Sequence, residues 1–406
     1  MPTTIVQPRH MARFACLGPD CPDTCCRDWA VDVDPATVRL WRNHPDAGWR
    51  ERLAAGLRRL RKPDGSERNL VAMRPDGHCL FYTEDGLCGI QKELGAEAMP
   101  WICRVFPRGE QAEHDFLART GSLACTAVAR AVVGEDRSLD ESLDGPIGPT
   151  LLALQPATTK PAFTAREAWA VRRTALAILG QPTWSWEARL VLTALLAGEL
   201  ATVDLVRGRQ GLSSLLDRYA GASREPEPAG VAAELAAGRA QGTALLVPVL
   251  KAILEGAREP VPGKIVWAAF VSAALDRLGV TAENLDEAAR RVAAVLRDRL
   301  DPLYADRPRS FSNLLGALLH QVRFPGERPK DALGRLGQAI VAFATWRILT
   351  AARLDAGVAD PLEAAAEVAW KLGRHLAHSQ KVLDRAIEGL SRAGGLEPAR
   401  LLLLAA

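Results

Sequence analysis

The sequence predicts a mostly α-helical protein: a cysteine-rich, metal-binding N-terminal region with little strand, then a helical, bundle-like body. Three observations predict this. All eight cysteines lie within the first 125 of 406 residues, although more than two thirds of the chain follows them. Beyond them, capping residues repeatedly precede apolar runs of helical length. Finally, no stretch alternates strand and helix in the doubly wound manner. The composition, 48% hydrophobic and 24% charged, is that of an ordinary globular chain able to bury a core. The length allows more than one domain. The boundaries read as a cysteine-rich metal-cluster domain over 1–133, a linker over 134–160 and an α-helical domain over 161–406.

The cysteine region reads as short irregular segments. Val31 and Val33 alternate with Asp32 and Asp34, which suits a brief strand or extended link. Asp34-Pro35 is an N-cap followed by proline at the first helical position, opening a helix through Trp41. A basic patch follows, with Arg50, Arg52, Arg58, Arg59, Arg61 and Lys62, and is expected on a solvated helix face. The acid-, glycine- and proline-containing stretch Glu135–Pro149 reads as a linker. Thr164 and Glu167 form a capping box for a helix that Gly180 stops, and Ser185 caps a second helix towards Leu200. Arg224–Gly230 is a break, and Asp286, Ser312 and Asp331 are further candidate caps. Asp360-Pro361-Leu362-Glu363 combines a cap, an N1 proline and a capping-box glutamate.

The formal charge of +3 supplies no basic field, so a nucleic-acid partner is not expected. The opening decapeptide is polar and holds two prolines, unlike a secretory leader. The apolar run Ile265–Leu275 is too short to span a bilayer and is flanked by Lys264 and Asp276. A cytoplasmic protein without a membrane partner is therefore expected, and cytosolic thiols stay reduced.

That compartment turns the cysteines from disulfide partners into metal ligands. Cys16, Cys21, Cys25 and Cys26 form C-x4-C-x3-C-C, and Cys79, Cys88, Cys103 and Cys125 follow singly. Inert buried thiols would not need so tight a run as C-P-D-T-C-C. Paired C-x2-C zinc knuckles are absent. A cluster ligated by thiolates gathered from loops, most simply [4Fe–4S], fits better, with zinc as the alternative. The expected ligands come from Cys21, Cys25, Cys26, Cys79, Cys88 and Cys103, with Cys16 and Cys125 as a second tier. Of His10, His44, His78 and His114, His78 beside Cys79 is the best-placed imidazole. Asp28 stands where the third cysteine of a C-x3-C-x2-C run would fall, so radical chemistry of that type is not expected.

The segments Gln7-Pro8-Arg9, Arg13–Trp29, Cys79–Gly95, Cys103–Arg108 and Leu123–Cys125 resemble the cysteine-bearing parts of flagellin lysine-N-methylases. Phe311–Pro325 is similar to a helical motif in that family's C-terminal part, whereas residues 130–310 have no matching motif. The cysteine core also resembles small zinc- or iron-chelating cysteine-cluster proteins. The first resemblance implies methyl transfer from S-adenosylmethionine to lysine amines of a protein substrate such as flagellin, with a cluster near the N-terminus. The second implies a non-enzymatic interaction or redox module.

Methylation of lysine is an in-line displacement on a deprotonated amine, with the sulfonium shielded from water. Asp23, Asp28, Trp29, Tyr82, Glu84, Asp85 and Trp101 lie beside the expected ligands and are candidate pocket residues; none is singled out as catalytic. No G-x-G-x-x-G follows an apolar strand and no phosphate loop is present, so the cofactor pocket is not visible in the sequence.

Overall fold

From Ala339 to Ala352 the chain is buried without a break, on every face of the helix Ala332–Asp355. A helix buried on every face must lie at the centre of other helices. It does: Trp186–Ala201, Arg239–Arg258, Ile265–Arg277, Pro308–Gln321, Pro361–His378 and Lys381–Arg392 all pack against it. Phe311, Phe343, Trp346 and Trp186 interlock there with ring centroids 5.5 to 6.2 Å apart. Their indole N–H groups still find partners: Trp186 donates to the Ala405 carbonyl and Trp346 to that of Ala365. The computed structural model describes residues 4–27, 29–61, 65–113, 116–143, 162–205, 208–227, 230–258, 265–305, 307–378, 381–394 and 398–405. Mostly helical architecture is thus what the chain adopts. Among the described residues no helix is long and apolar enough to cross a membrane.

Local chemistry starts several helices where the sequence expects. Asp34 accepts the Thr37 N–H at 2.9 Å ahead of helix Pro35–Arg42. Thr164 and Glu167 cap Ala165–Leu179 reciprocally, Gly180 ends it, and Ser185 caps Trp186–Ala201. Asp360 accepts the N–H groups of Leu362 and Glu363 at the head of Pro361–His378. Other caps fall differently. Ser312 sits inside Pro308–Gln321, because Pro308 begins that helix a turn earlier, and its hydroxyl receives Arg189 at 3.0 Å instead. Asp286 lies in the first turn after Asn284, and Asp331 turns back to the N–H groups of Glu327 and Arg328.

The strands are β1 (Thr4–Pro8), β2 (Leu57–Arg61), β3 (Glu67–Val71), β4 (Arg108–Glu113), β5 (Phe116–Gly121) and β6 (Glu141–Ser142). β2 and β3 form a hairpin; the others form a sheet in the order β4-β5-β1-β6. β1 runs parallel to β5 with Ile5 opposite Leu117, while β4 and β6 are antiparallel to their neighbours. Parallel partners need a long crossover. Here the crossover holds every cysteine but Cys125, so the sheet brings the two ends of that stretch side by side. Arg58, Arg59 and Arg61 therefore stand on strand β2, not on a helix. Helix Ala47–Ala55 ends at Gly56, where the Phe81 ring would lie 2.1 Å from any Cβ. Lys62 lies outside the described residues. Val31 and Val33 bond to Val71 and Asn69 as an extended link, and Glu135–Ser142 turns into β6.

The helix Thr126–Gly134 carries the first region onto the body. Val128, Ala129, Val132 and Val133 share one core with the C-terminal helices. Ser310 donates to the Val133 carbonyl and Asn313 to that of Glu135, which closes the seam.

His10 is buried beside this seam, with Nδ1 3.0 Å from the Ser138 carbonyl. Burial pulls its pKa down to about 4, against a weaker upward pull from that carbonyl. Between about pH 6.5 and 4 the unfolded chain holds a proton that the folded chain refuses. Stability is therefore expected to fall as pH drops through that window, by about 3 kcal/mol over its whole width. Urea unfolding at pH 7 and pH 5 measures this, and a His10→Gln variant should show a flatter profile.

Candidate metal centre

Two tight turns between Met73 and Cys88 organise the thiols. Met73 pairs with Cys79, Tyr82 with Cys88, and Arg27 with His78, each as an isolated bridge. Gly86, with φ +78°, makes the second turn, and any Cβ there would meet the Pro19 backbone at 3.3 Å. The Cys79 N–H donates to the Cys26 carbonyl at 2.7 Å, which fastens the turns onto the C-P-D-T-C-C segment. Cys103 comes in on the short helix Trp101–Val105, and Cys88 and Cys125 each stand at the N-cap of a helix.

Cys25, Cys26, Cys79, Cys88 and Cys103 are thereby gathered closely enough to feel one another's charge. Cys125 joins at the edge through Cys25 and Cys21. Cys16 is exposed and accepts the Gly18 N–H two residues on. Burial, and then the neighbouring thiols, push Cys103 well up. Cys79 and Cys125 rise to about 11, chiefly from burial. The Cys26 thiol shares a hydrogen bond with Cys25, which lowers Cys25 and raises Cys26; the Arg374 charge also favours a Cys25 thiolate.

The donor set fits a thiolate-ligated metal. Cys79 accepts the N–H of Phe81, Cys88 those of Ile90 and Gln91, and Cys125 those of Ala127 and Val128. Such N–H···S contacts stabilise sulfur as an anion, the form that binds metal. Among the described residues no three side chains are already arranged to hold a metal ion, so metal would have to draw the loops inward. On this placement Cys79→Ser is expected to cost most of the bound metal, whereas Cys16→Ser should retain it. Metal content of the two purified variants tests the ligand choice.

The other sequence candidates have separate duties. His78 faces Asp76 at 3.1 Å and stacks on Tyr82 at 4.8 Å. Asp85 is tied to Thr83 and Lys92, and Glu84 is exposed on the same turn. Trp29 donates to the Cys25 carbonyl at 2.6 Å, and Trp101 lies under the Arg104 guanidinium. His44 sits at a surface turn near the Asp46 carbonyl. Asp28 and His114 lie outside the described residues.

Sequence reasoning missed the group that holds this centre to the body. Asp23 receives Trp370 Nε1 at 2.9 Å and Arg374 Nη1 at 2.8 Å. Arg374 also donates to the carbonyls of Asp23, Thr24 and Ala124. One guanidinium thus straps two cysteine-bearing segments to helix Pro361–His378. Next to it, Arg130 and Glu363 form a two-pronged ion pair. Asp23 stands out in the sequence only as a polar residue beside the cysteines; its partner 351 residues away does not.

Over 132 residues, 32% of its length, the chain is 30% identical to the flagellar biosynthetic protein FliU of Salmonella muenchen, covering 78% of that protein. Over a stretch of equal length it is 30% identical to a lysine-N-methylase of Salmonella typhimurium and 29% identical to one of Salmonella choleraesuis. Those matches cover 33% of each methylase, so the shared part is about a third of their length. No protein-family profile and no solved structure matches the chain.

Proposed function

The chain belongs to the flagellin lysine-N-methylase family, and from that premise we propose that it is a cytoplasmic protein lysine N-methyltransferase using S-adenosylmethionine. Its substrate is a lysine-bearing protein of the flagellin type, and its cysteines hold an iron–sulfur cluster. The observation that best supports the reading is the convergence of five thiols from three distant stretches in a chain with lysine-N-methylase relatives.

Four thiolates can be drawn from Cys25, Cys26, Cys79, Cys88 and Cys103, with Cys21 and Cys125 at the rim. A cluster bound there would supply a Lewis-acidic anchor between loops that already share an apolar cluster and backbone hydrogen bonds. The Arg374 guanidinium offsets the negative charge those thiolates bring. The Asp23 and Asp85 carboxylates are engaged by Arg374 and Lys92, so neither is free to accept the amine proton.

The test is protein purified without oxygen, assayed for iron, zinc and acid-labile sulfide, then incubated with methyl-labelled S-adenosylmethionine and flagellin. About four irons and four sulfides per chain, with label on lysine, are the expected results. Zinc without sulfide and no label would instead make this a non-enzymatic metal-binding module.

A further inference from the structure

We propose that Arg172 and His320 form the buried half of a binding site for a small oxyanion, a carboxylate or phosphate group, with Arg323 at its outer edge. Arg172 projects from helix Ala165–Leu179 and is only 3% exposed. Its Nη2 donates to the amide oxygen of Gln111, a neutral group, and its Nε has no partner among the described residues. His320, near the end of Pro308–Gln321, is 6% exposed, and neither ring nitrogen has a partner among the described residues. Both side chains rest on one indole: the Trp169 ring lies 5.8 Å from the Arg172 guanidinium and 5.6 Å from the His320 ring.

The surrounding charges make an anion the fitting occupant. Arg323, exposed just beyond the His320 helix, adds a second positive charge that bears on Arg172, and His10 bears on His320. The nearby acids are engaged elsewhere. Glu110 is paired with Arg119 at 2.8 Å, and Glu141 receives Trp169 Nε1 at 2.7 Å. A buried guanidinium without a counter-charge among the described residues is a costly arrangement in a protein interior, and imidazole nitrogens unpartnered among the same residues add to it. An oxyanion answers both at once, taking a charge-assisted bond from Arg172 and a ring N–H from His320. A metal cation would face two guanidinium groups, so the histidine does not make this a metal site. The site joins the cysteine region through its neighbours. Gln321 donates to the Gly373 carbonyl at 3.0 Å, and Gly373 lies against the Leu123–Ala124 backbone.

The experiment is calorimetric titration and thermal unfolding of the full chain with sodium phosphate and, separately, sodium acetate. Sodium chloride at matched ionic strength is the reference. Saturable one-to-one binding of either anion, with a rise in Tm, is expected. Binding should weaken about tenfold or more in Arg172→Met and several-fold in Arg323→Ala. The phosphate and acetate arms distinguish a phosphoryl from a carboxylate ligand. Equal responses in wild type and both variants, or no binding in either arm, would overturn the proposal. Arg323 is exposed, so its variant keeps the test decisive even if Arg172→Met fails to fold.

Discussion

An Arg374→Ala variant is expected to lose about 3 kcal/mol of stability and to purify with little metal, although Arg374 is not a ligand. Its side chain and that of Asp23 are about four-fifths buried, and the strap satisfies Asp23 from two directions together with three backbone carbonyls. Removing the guanidinium leaves the largely buried Asp23 carboxylate with Trp370 as its one remaining side-chain donor among the described residues. It also frees the loop bearing Cys21, Cys25 and Cys26 from the segment bearing Cys125. Arg374→Lys should rescue little, because an ammonium is a single point of donation where the guanidinium is a rigid fork. Metal per folded chain and urea unfolding of the metal-free protein read the two effects separately. Wild-type metal content in Arg374→Ala would show that the body does not hold the centre in place.

Gly373→Val is expected to be the more damaging change for the fold. A Cβ at this position would stand 2.6 Å from the Leu123 carbonyl carbon and 2.7 Å from the Ala124 nitrogen, both backbone atoms. No rotamer change relieves such a contact, so the helix Pro361–His378 and the Leu123–Cys125 segment must separate. Overpacking of this kind costs about 3 kcal/mol or more. Gly334→Ala is the matched control. Nothing lies within 4 Å of its added methyl, and helix propensity predicts a gain of about 0.5–1 kcal/mol. If the two glycine variants unfold at the same denaturant concentration, the close approach at Gly373 does not exist in solution.

The features legible in the sequence are those whose physics is local. Asp34, Thr164, Ser185 and Asp360 cap helices because a short acceptor side chain finds N–H groups two or three residues ahead, whatever the rest of the fold does. Where local chemistry is ambiguous, the segment alone does not fix its structure. Arg58, Arg59 and Arg61 suit a helix face as well as a strand edge, and it is pairing with Leu70, Asn69 and Glu67 of β3 that makes them a strand. Ser312 resembles a cap until Pro308 starts the helix before it.

The cysteine spacing likewise marked a thiol-rich region, since eight cysteines in 125 residues of a helical chain have few other uses. By itself, then, the sequence determined the helical class, the helix starts at Asp34, Thr164, Ser185 and Asp360, and the residues available to bind metal. Tertiary structure alone decided which thiols meet, that β1 pairs in parallel with β5 across every cysteine but Cys125, and that Arg374 reaches Asp23. It also decided that Arg172 and His320 are buried against one tryptophan. These contacts join residues far apart in the chain, and their energy comes from packing and desolvation. A pattern within one segment cannot encode that, because the partner's position exists only once both segments have folded.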